Sequence, residues 1–335
     1  MEGEEMVSRC KVRLFITGIY RSGTILVTRI LNNHPRLWVT YDSIHFMRFS
    51  YGRYDPIWKS VNIMRLVRDT HKRISSRYGM ELDEERVISR LRSSKRIGYR
   101  HVYDALMADL CTRYKPGAIG WAEKTNVCWE QIPNFLSMFP DGKVIHTVRD
   151  PRDVMCSYRE MTYEPGYSYL DSAFCSLSSF SKASEYRRVF SPRNYYVLRY
   201  EQLLREPRRE IKRVCDFLEI PFGAAMLDVK SFKDNRGEQW SGGSSFDRKM
   251  GSISTKPIAR WKKKAAPLEV FLVELINRDV MKHYGYELSG LSITRKDWMR
   301  LYDILRRSRL LRGRFEHWLK TGEGVEGYPS DPLVK

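Results

Sequence analysis

No apolar run in this sequence approaches the roughly 18 residues that a membrane span requires, although 42% of its 335 residues are hydrophobic. Its first five residues, Met-Glu-Gly-Glu-Glu, are acidic and have no apolar stretch behind them, which argues against a secretory signal. There is no C-x-x-C pair. Cys10, Cys111, Cys128, Cys156, Cys175 and Cys215 stand scattered, a poor disulfide framework and a poor zinc site. Reduced thiols in a soluble cytoplasmic protein without a metal are the expectation. Internal repeats and low-complexity tracts are absent, and the apolar content is too high for a largely disordered chain. Carboxylates are in short supply: 40 Asp and Glu face 59 Lys and Arg, a formal charge of +19. That excess points to an anionic partner without naming it. No zinc finger, helix-turn-helix or aromatic RNA-binding motif accompanies it, so a basic nucleic-acid-binding protein remains a reading from charge alone, and no specific nucleic acid is expected.

What is present is an alternation of strands and helices. Lys11–Thr17 is a β-rich apolar run ending at Gly18, and Thr24–Leu31 reads as a buried helix stopped by Asn32-Asn33-His34-Pro35. Short strands follow at Leu37–Thr40, Ala118–Thr125, Lys143–Val148 and Tyr195–Tyr200, with helices at Ile132–Phe139, Asp153–Glu160 and Arg208–Leu218. This order predicts an α/β fold of three layers, a mainly parallel central sheet with helices on both faces. From about residue 58 to 115 the pattern turns to polar, basic helices, an insert. Gly237–Thr255 is rich in Gly and Ser and reads as a mobile loop. Length alone allows two domains or one large one; the strand order favours one domain over residues 11–288, followed by a basic helical tail over 289–335.

Two places carry chemistry. A strand, a glycine-bearing turn and a helix start make an anion cradle, because free amide N–H groups and the helix dipole face the ligand. Gly18-x-x-x-x-Gly23 has the glycine spacing of a Walker loop, but Thr24 and Ile25 stand where Lys and Ser/Thr are required, and Arg21 places a cation inside the loop. This argues against a magnesium-dependent NTPase and for a metal-free anion site; the bland alternative is a surface turn with a chance arginine. The second place is Arg149-Asp150-Pro151-Arg152-Asp153, at the carboxyl end of the Lys143–Val148 strand, with Ser157 one helical turn on. Ligands of open α/β sheets bind there. An arginine suits a bidentate grip on phosphate, with the serine hydroxyl as a second donor. The competing reading is a structural turn in which Asp150 or Asp153 caps a helix.

With these two segments the sequence resembles the sulfotransferases that use 3′-phosphoadenosine 5′-phosphosulfate (PAPS). Tyr20-Arg21-Ser22-Gly23-Thr24-Ile25-Leu26 is similar to the family's 5′-phosphosulfate loop, and Arg149 with Ser157 to its 3′-phosphate site. Arg199-Tyr200-Glu201-Gln202-Leu203, Cys215-Asp216-Phe217-Leu218, Gly251–Thr255 running to Arg260-Trp261, and His283–Glu287 match further segments in the same order. Having Arg21 rather than lysine, the chain looks closer to the bacterial and tyrosylprotein-type branch than to the cytosolic aryl branch.

The resemblance implies a P-loop-like sulfotransferase fold and PAPS as co-substrate. It implies that Arg21 and the amides of Ser22, Gly23, Thr24 and Ile25 hold the 5′-phosphosulfate, that Lys124 supplies charge at the transferring group, and that Tyr200, Ser245 and Arg260 complete the nucleotide site. For the general base the resemblance implies Asp42, at the position where tyrosylprotein-type relatives carry glutamate, with His45 three residues on as the alternative; a plain helix cap at Asp42 is the bland reading. His34 and His146 read as structural, and His101, Tyr99 and Tyr103 as packing. A P-loop-like phosphotransferase is the nearest rival function. The acceptor, whether small molecule, sugar, lipid or peptide, is not written in any motif, nor is the oligomeric state. In the tail, Trp298, Leu301, Tyr302 and Leu305 alternate with Arg300, Arg306, Arg307, Arg309, Arg312 and Arg314. The commoner arrangement is a helix packed on its own domain with a solvated basic face; the other is peripheral contact with an anionic membrane.

Overall fold

The computed structural model describes residues 10–92, 96–160, 166–240 and 252–327. Five strands form one sheet, β1 (Val12–Gly18), β2 (Leu37–Tyr41), β3 (Gly120–Lys124), β4 (Lys143–Val148) and β5 (Tyr195–Arg199). All pairs are parallel and the spatial order is β2-β3-β1-β4-β5. Every residue of β1 is buried, as expected of a parallel strand covered on both faces. Its side chains divide by the pleat: Val12, Leu14 and Ile16 join one apolar cluster and Phe15 the other. The chain leaves β1 toward β2 on one side and returns from β3 to β4 on the other, so the crevice beyond the carboxyl ends of β1 and β4 is the topological switch point.

The helix after β1, α1 (Thr24–Asn32), packs under the sheet with helix α10 (Pro207–Leu218). The opposite face is covered by α6 (Ile132–Met138), α7 (Pro151–Arg159), α8 (Asp171–Val189) and α12 (Pro267–His283). The four-residue α2 (Phe46–Phe49) follows β2; the insert then forms three helices, α3 (Ser60–Tyr78), α4 (Glu84–Leu91) and α5 (Tyr99–Tyr114). Short helices α9 (Tyr200–Arg205) and α11 (Trp261–Lys264) lie at the switch point. Helices α8 and α12 have no sequence-based counterpart above. The reason is physical: α8 buries Ser172, Ser176, Ser178 and Ser179 as well as Phe174 and Phe180, so it has no polar stripe to read.

The tail is two helices, α13 (Arg295–Arg307) and α14 (Arg309–Thr321), broken at Ser308, whose hydroxyl accepts the Leu311 N–H. Leu301, Ile304 and Leu311 are buried in the main core cluster. Arg314 reaches Asp171, fully buried at the start of α8, at 2.9 Å. Among the described residues no helix is long and apolar enough to cross a membrane.

The Arg314–Asp171 pair gives the docking of the tail a measurable signature. Burial pushes the Asp171 carboxyl up to about 6 even with Arg314 beside it. Arg314→Ala is expected to lower stability by about 3 kcal/mol at pH 8, the cost of leaving a buried charge unpaired. Below about pH 6 Asp171 is protonated in the wild type, and the variant protonates at still higher pH. The difference between the two urea midpoints therefore shrinks as pH falls from 8 to 5. Equal midpoints at pH 8 would mean that the tail does not hold the core.

Candidate active site

At the end of β1 the chain turns through Arg21, held in the left-handed region at φ 70°, and Gly23 at φ 94°. Gly23 is required twice over. Its backbone conformation favours glycine, and a Cβ there would lie 2.1 Å from the Tyr200 ring. Gly23 is the residue before α1 and brings no side-chain cap to it. The first amides of α1 therefore keep the free N–H groups and positive potential of a helix N-terminus. Ser22 does not face this cradle. Its hydroxyl donates to the Ile19 carbonyl at 2.7 Å and meets Thr147 Oγ1 of β4 at 2.7 Å, stapling the loop to the neighbouring strand. Thr24 Oγ1 donates to Asn126 Oδ1 at 2.8 Å and fastens the cradle to the segment after β3.

The two sequence segments meet here. Arg21 Nε donates to Ser157 Oγ at 3.0 Å, and Arg149 Nη1 donates to the Arg21 carbonyl at 2.8 Å. The Arg149 guanidinium lies 4.7 Å from the centre of the Tyr200 ring. Its Nη2 donates to the Pro257 carbonyl at 2.8 Å, while its buried Nε has no partner among the described residues. Arg260 likewise buries Nε and Nη2 without partners among the described residues and reaches Glu160 at 3.5 Å through Nη1. Burial, then the charges of Arg149 and Arg260, push the Arg21 guanidinium down to about 10. A crevice lined by three guanidinium groups, two of them with orphaned buried N–H groups, fits a ligand carrying two separate anionic groups.

Asp153 is the residue of this motif whose role the sequence did not reveal. Asp150 is the helix cap, accepting the Arg152 N–H at 2.9 Å, but Asp153 accepts the main-chain N–H groups of Ala259 (2.7 Å) and Trp261 (3.0 Å). With Arg152 stacked 3.9 Å from the Trp261 ring, it straps the segment bearing Arg260 over α7. Burial pushes the Asp153 carboxyl up to about 6. Ser245 and most of the Gly237–Thr255 loop lie outside the described residues.

Across β1, Lys124 ends β3 with its side chain wholly buried, and its Nζ donates to Asp42 Oδ2 at 2.6 Å. Asp42 follows β2 at φ 53°, its N–H on the Lys124 carbonyl and its side chain 30% exposed. Burial would raise its carboxyl, but Lys124 and the other cations outweigh that and hold it below the usual carboxylate range. Burial pulls Lys124 below an ordinary lysine, an effect that Asp42 opposes and Arg29 and Arg21 reinforce. His45, also left-handed at φ 49°, bonds Thr125 Oγ1 at 3.2 Å through Nδ1 and has Nε2 3.9 Å from Asp42 Oδ1. Burial pulls it down to about 3, so it is neutral. Asp42 is no helix cap, because α2 begins only at Phe46.

Further residues support this side. Glu123, fully buried, accepts the Phe46 N–H at 3.2 Å and the Tyr103 hydroxyl, so Tyr103 does more than pack. Arg29 lies 3.9 Å from the centre of the Tyr41 ring, next to Asp42. The structural readings hold elsewhere: His146 is bonded by Tyr195 and Ser179, and His34 by the Pro221 carbonyl. Among the described residues no three His, Cys, Asp or Glu side chains converge as a metal site.

Comparison with known proteins agrees with this architecture. Residues 13–224 match the model of the sulfotransferase family. A provisionally named protein-tyrosine sulfotransferase of Caenorhabditis elegans is 25% identical over 177 residues, 51% of this chain and 66% of that protein. An omega-hydroxy-beta-dihydromenaquinone-9 sulfotransferase of Mycobacterium bovis is 32% identical over 101 residues, 27% of this chain and 26% of that protein. The sulfotransferase domain from the curacin biosynthetic pathway superposes with a TM-score of 0.54 at 19% identity, covering 82% of this chain and 98% of that domain, a likeness that establishes the fold. With the loop after β1 and the arginine after β4 inside the matched residues, the chain belongs to the PAPS-dependent sulfotransferase family.

Proposed function

We propose that the chain transfers the sulfuryl group of PAPS to a hydroxyl or amine acceptor, with the donor in the crevice between β1 and β4 and the acceptor approaching Asp42. The carrying observation is the convergence of Arg21, Arg149 and Arg260 at that crevice, with Arg149 hydrogen-bonded to main-chain carbonyls rather than to a carboxylate. In this reading Arg149 and Ser157 bind the 3′-phosphate. The amides at the start of α1 and Arg21 bind the 5′-phosphosulfate, Tyr200 walls the nucleotide, and Arg260 closes it from the strapped segment. The rival phosphotransferase reading finds no lysine at position 24 and, directly after β4, Arg149 in place of an acidic residue; Asp150 beside it caps α7 and pairs with Arg152.

The transfer is an in-line displacement, so positioning and charge do most of the work. Asp42 takes the acceptor proton as the new S–O bond forms and the bond from sulfur to the 5′-phosphate oxygen breaks. Protonation of Asp42 removes the negative half of its ion pair with Lys124. The lysine charge is thereby released toward the leaving phosphate at the moment that phosphate gains charge. Neutral His45, its ring held by Thr125 and its Nε2 3.9 Å from Asp42 Oδ1, flanks the base rather than acting as the first proton acceptor. The names of the two relatives carry a protein tyrosine and an omega-hydroxylated dihydromenaquinone, both of which offer a hydroxyl, the acceptor group this reading favours.

Two experiments test this reading. Titration calorimetry with adenosine 3′,5′-bisphosphate in EDTA is expected to give micromolar binding, weakened about 10- to 100-fold by Arg149→Ala, the loss of a charged hydrogen-bond donor; absence of binding sinks the proposal. The same titration carries a pH signature. The Asp153 carboxylate grips the strap best when ionised, so affinity falls as pH drops through about 6, and it falls less steeply in Asp153→Asn. For turnover, Asp42→Asn should lower kcat by about 10²- to 10⁴-fold with bisphosphate affinity retained, whereas His45→Ala costs less. Because burial lowers Lys124, the wild-type rate should decline on the alkaline side below the ordinary lysine value of about 10.4. If Asp42→Asn turned over normally, the base would lie elsewhere.

A further inference from the structure

Helix α3 of the insert opens on an apolar surface that none of the described residues covers. Trp58 is 66% exposed, Val61 62% and Met64 47%, three large apolar side chains at successive three-residue steps. The inner face of the helix is defined by Ile63, Leu66, Val67, Thr70 and Ile74, all buried. At 3.6 residues per turn, Val61 points away from that face and Met64 flanks it. Lys59, Arg65, Arg68 and Lys72 are exposed around the same side. The helix carries a single carboxylate, Asp69, which accepts the Tyr54 hydroxyl at 2.9 Å and lies 3.8 Å from Arg65. A tryptophan, a valine and a methionine ringed by lysines and arginines form the amphipathic composition that settles at a lipid interface.

The tail helix α13 also exposes apolar side chains, Met299 at 65% and Tyr302 at 67%. Its cations are more engaged: Arg306 and Arg307 pair with Asp303, and Arg300 bonds the Tyr167 hydroxyl. Trp298 rests edge-on against Phe271. The insert helix offers the freer charge together with the more exposed tryptophan. It is also mechanically tied to the acceptor side. Arg73, about 18 Å further along α3 from Val61, donates to the Ile44 carbonyl at 2.6 Å and lies 5.3 Å from the Phe49 ring. One rigid helix therefore carries the exposed patch and braces the loop between Asp42 and α2.

We infer that the outer face of the first turns of α3, Trp58, Val61 and Met64 with Lys59, Arg65 and Arg68, docks this protein on an anionic lipid surface and turns its acceptor side toward the bilayer. Adhesion combines partial insertion of the three apolar side chains with attraction of the cations to acidic headgroups, and it is reversible and sensitive to salt. The inference does not rest on the assigned reaction, because docking is read without turnover.

Sedimentation of the full chain with phosphatidylcholine vesicles, with and without phosphatidylserine, tests it. Binding is expected on the phosphatidylserine vesicles at low salt, with little on phosphatidylcholine alone and loss at high salt. The triple variant Trp58→Ser, Val61→Ser, Met64→Ser should bind at least tenfold more weakly, and Arg65→Glu with Arg68→Glu weaker by a similar factor. Bisphosphate affinity confirms that these variants fold. Met299→Ser with Tyr302→Ser should leave vesicle binding unchanged. No binding to phosphatidylserine vesicles at low salt overturns the inference. So does undiminished binding of the triple variant, or binding lost in the α13 variant instead. Self-association of the wild type that the triple variant abolishes, without vesicle binding, would give the patch to a second copy of this chain.

Discussion

Arg149 gives both terminal nitrogens to main-chain carbonyls, and the rest of the crevice between β1 and β4 is organised around that choice. A carbonyl satisfies an N–H group without cancelling its charge, so the guanidinium is fixed in place and keeps its full field. Arg152, three residues on, shows the opposite use of the same side chain: Asp150 and Glu274 neutralise it at 2.7 Å and 2.6 Å, and it serves as a structural tie. Because the acceptors of Arg149 belong to Arg21 and Pro257, the same two bonds also join the β1 loop and the strapped segment to the end of β4. Holding Arg21, Arg149 and Arg260 together costs electrostatic energy that a bound polyanion relieves, a reason for the site to close best around its ligand.

The fold was legible where local rules and global topology agree. The β1–Gly18-to-Gly23–α1 unit could be read because a buried strand, a turn needing positive φ and an apolar helix each leave a mark on adjacent residues. The same holds for the end of β4, where Arg149 and Ser157 sit one helix start apart. Helices α8 and α12 left no such mark, since a helix buried on most sides loses the 3.6-residue polar stripe. The partnerships that shape the site were illegible for another reason: Asp153 with Ala259, Glu123 with Tyr103 and Arg29 with Tyr41 join residues 106, 20 and 12 positions apart, and nothing in one sequence pairs them. Ser22 shows the converse limit. The motif gave its main-chain amide to the ligand and left its side chain without a task, and the hydroxyl serves the loop by bonding Thr147.

On the acceptor side the geometry depends on two residues in left-handed backbone conformations within four positions, Asp42 and His45. Such conformations persist when their surroundings over-determine them. Here the determinants are specific. The Lys124 carbonyl takes the Asp42 N–H, Glu123 takes the Phe46 N–H at the start of α2, and Arg73 takes the Ile44 carbonyl. Adjacent residues of β3 thus act on the same loop from the two faces of the sheet. Lys124 reaches the carboxylate directly, and Glu123 fixes the backbone from which that carboxylate projects. The Asp42 carboxylate is placed by the strand beside it as much as by its own turn.

Net charge acquires a geography from these contacts. The four cations of the candidate site, Arg21, Lys124, Arg149 and Arg260, are too few for an excess of nineteen, and their burial hides much of their field from bulk water. The exposed lysines and arginines of α3 and the tail act at longer range, over about a Debye length of 8 Å at physiological salt. The buried set can hold a small polyanion in one orientation; the exposed set can only favour one side of the molecule over another when it meets a charged surface. The patch on α3 adds apolar side chains to that second kind of charge, which turns a general attraction into an orientation, with the Asp42 loop braced on the same helix.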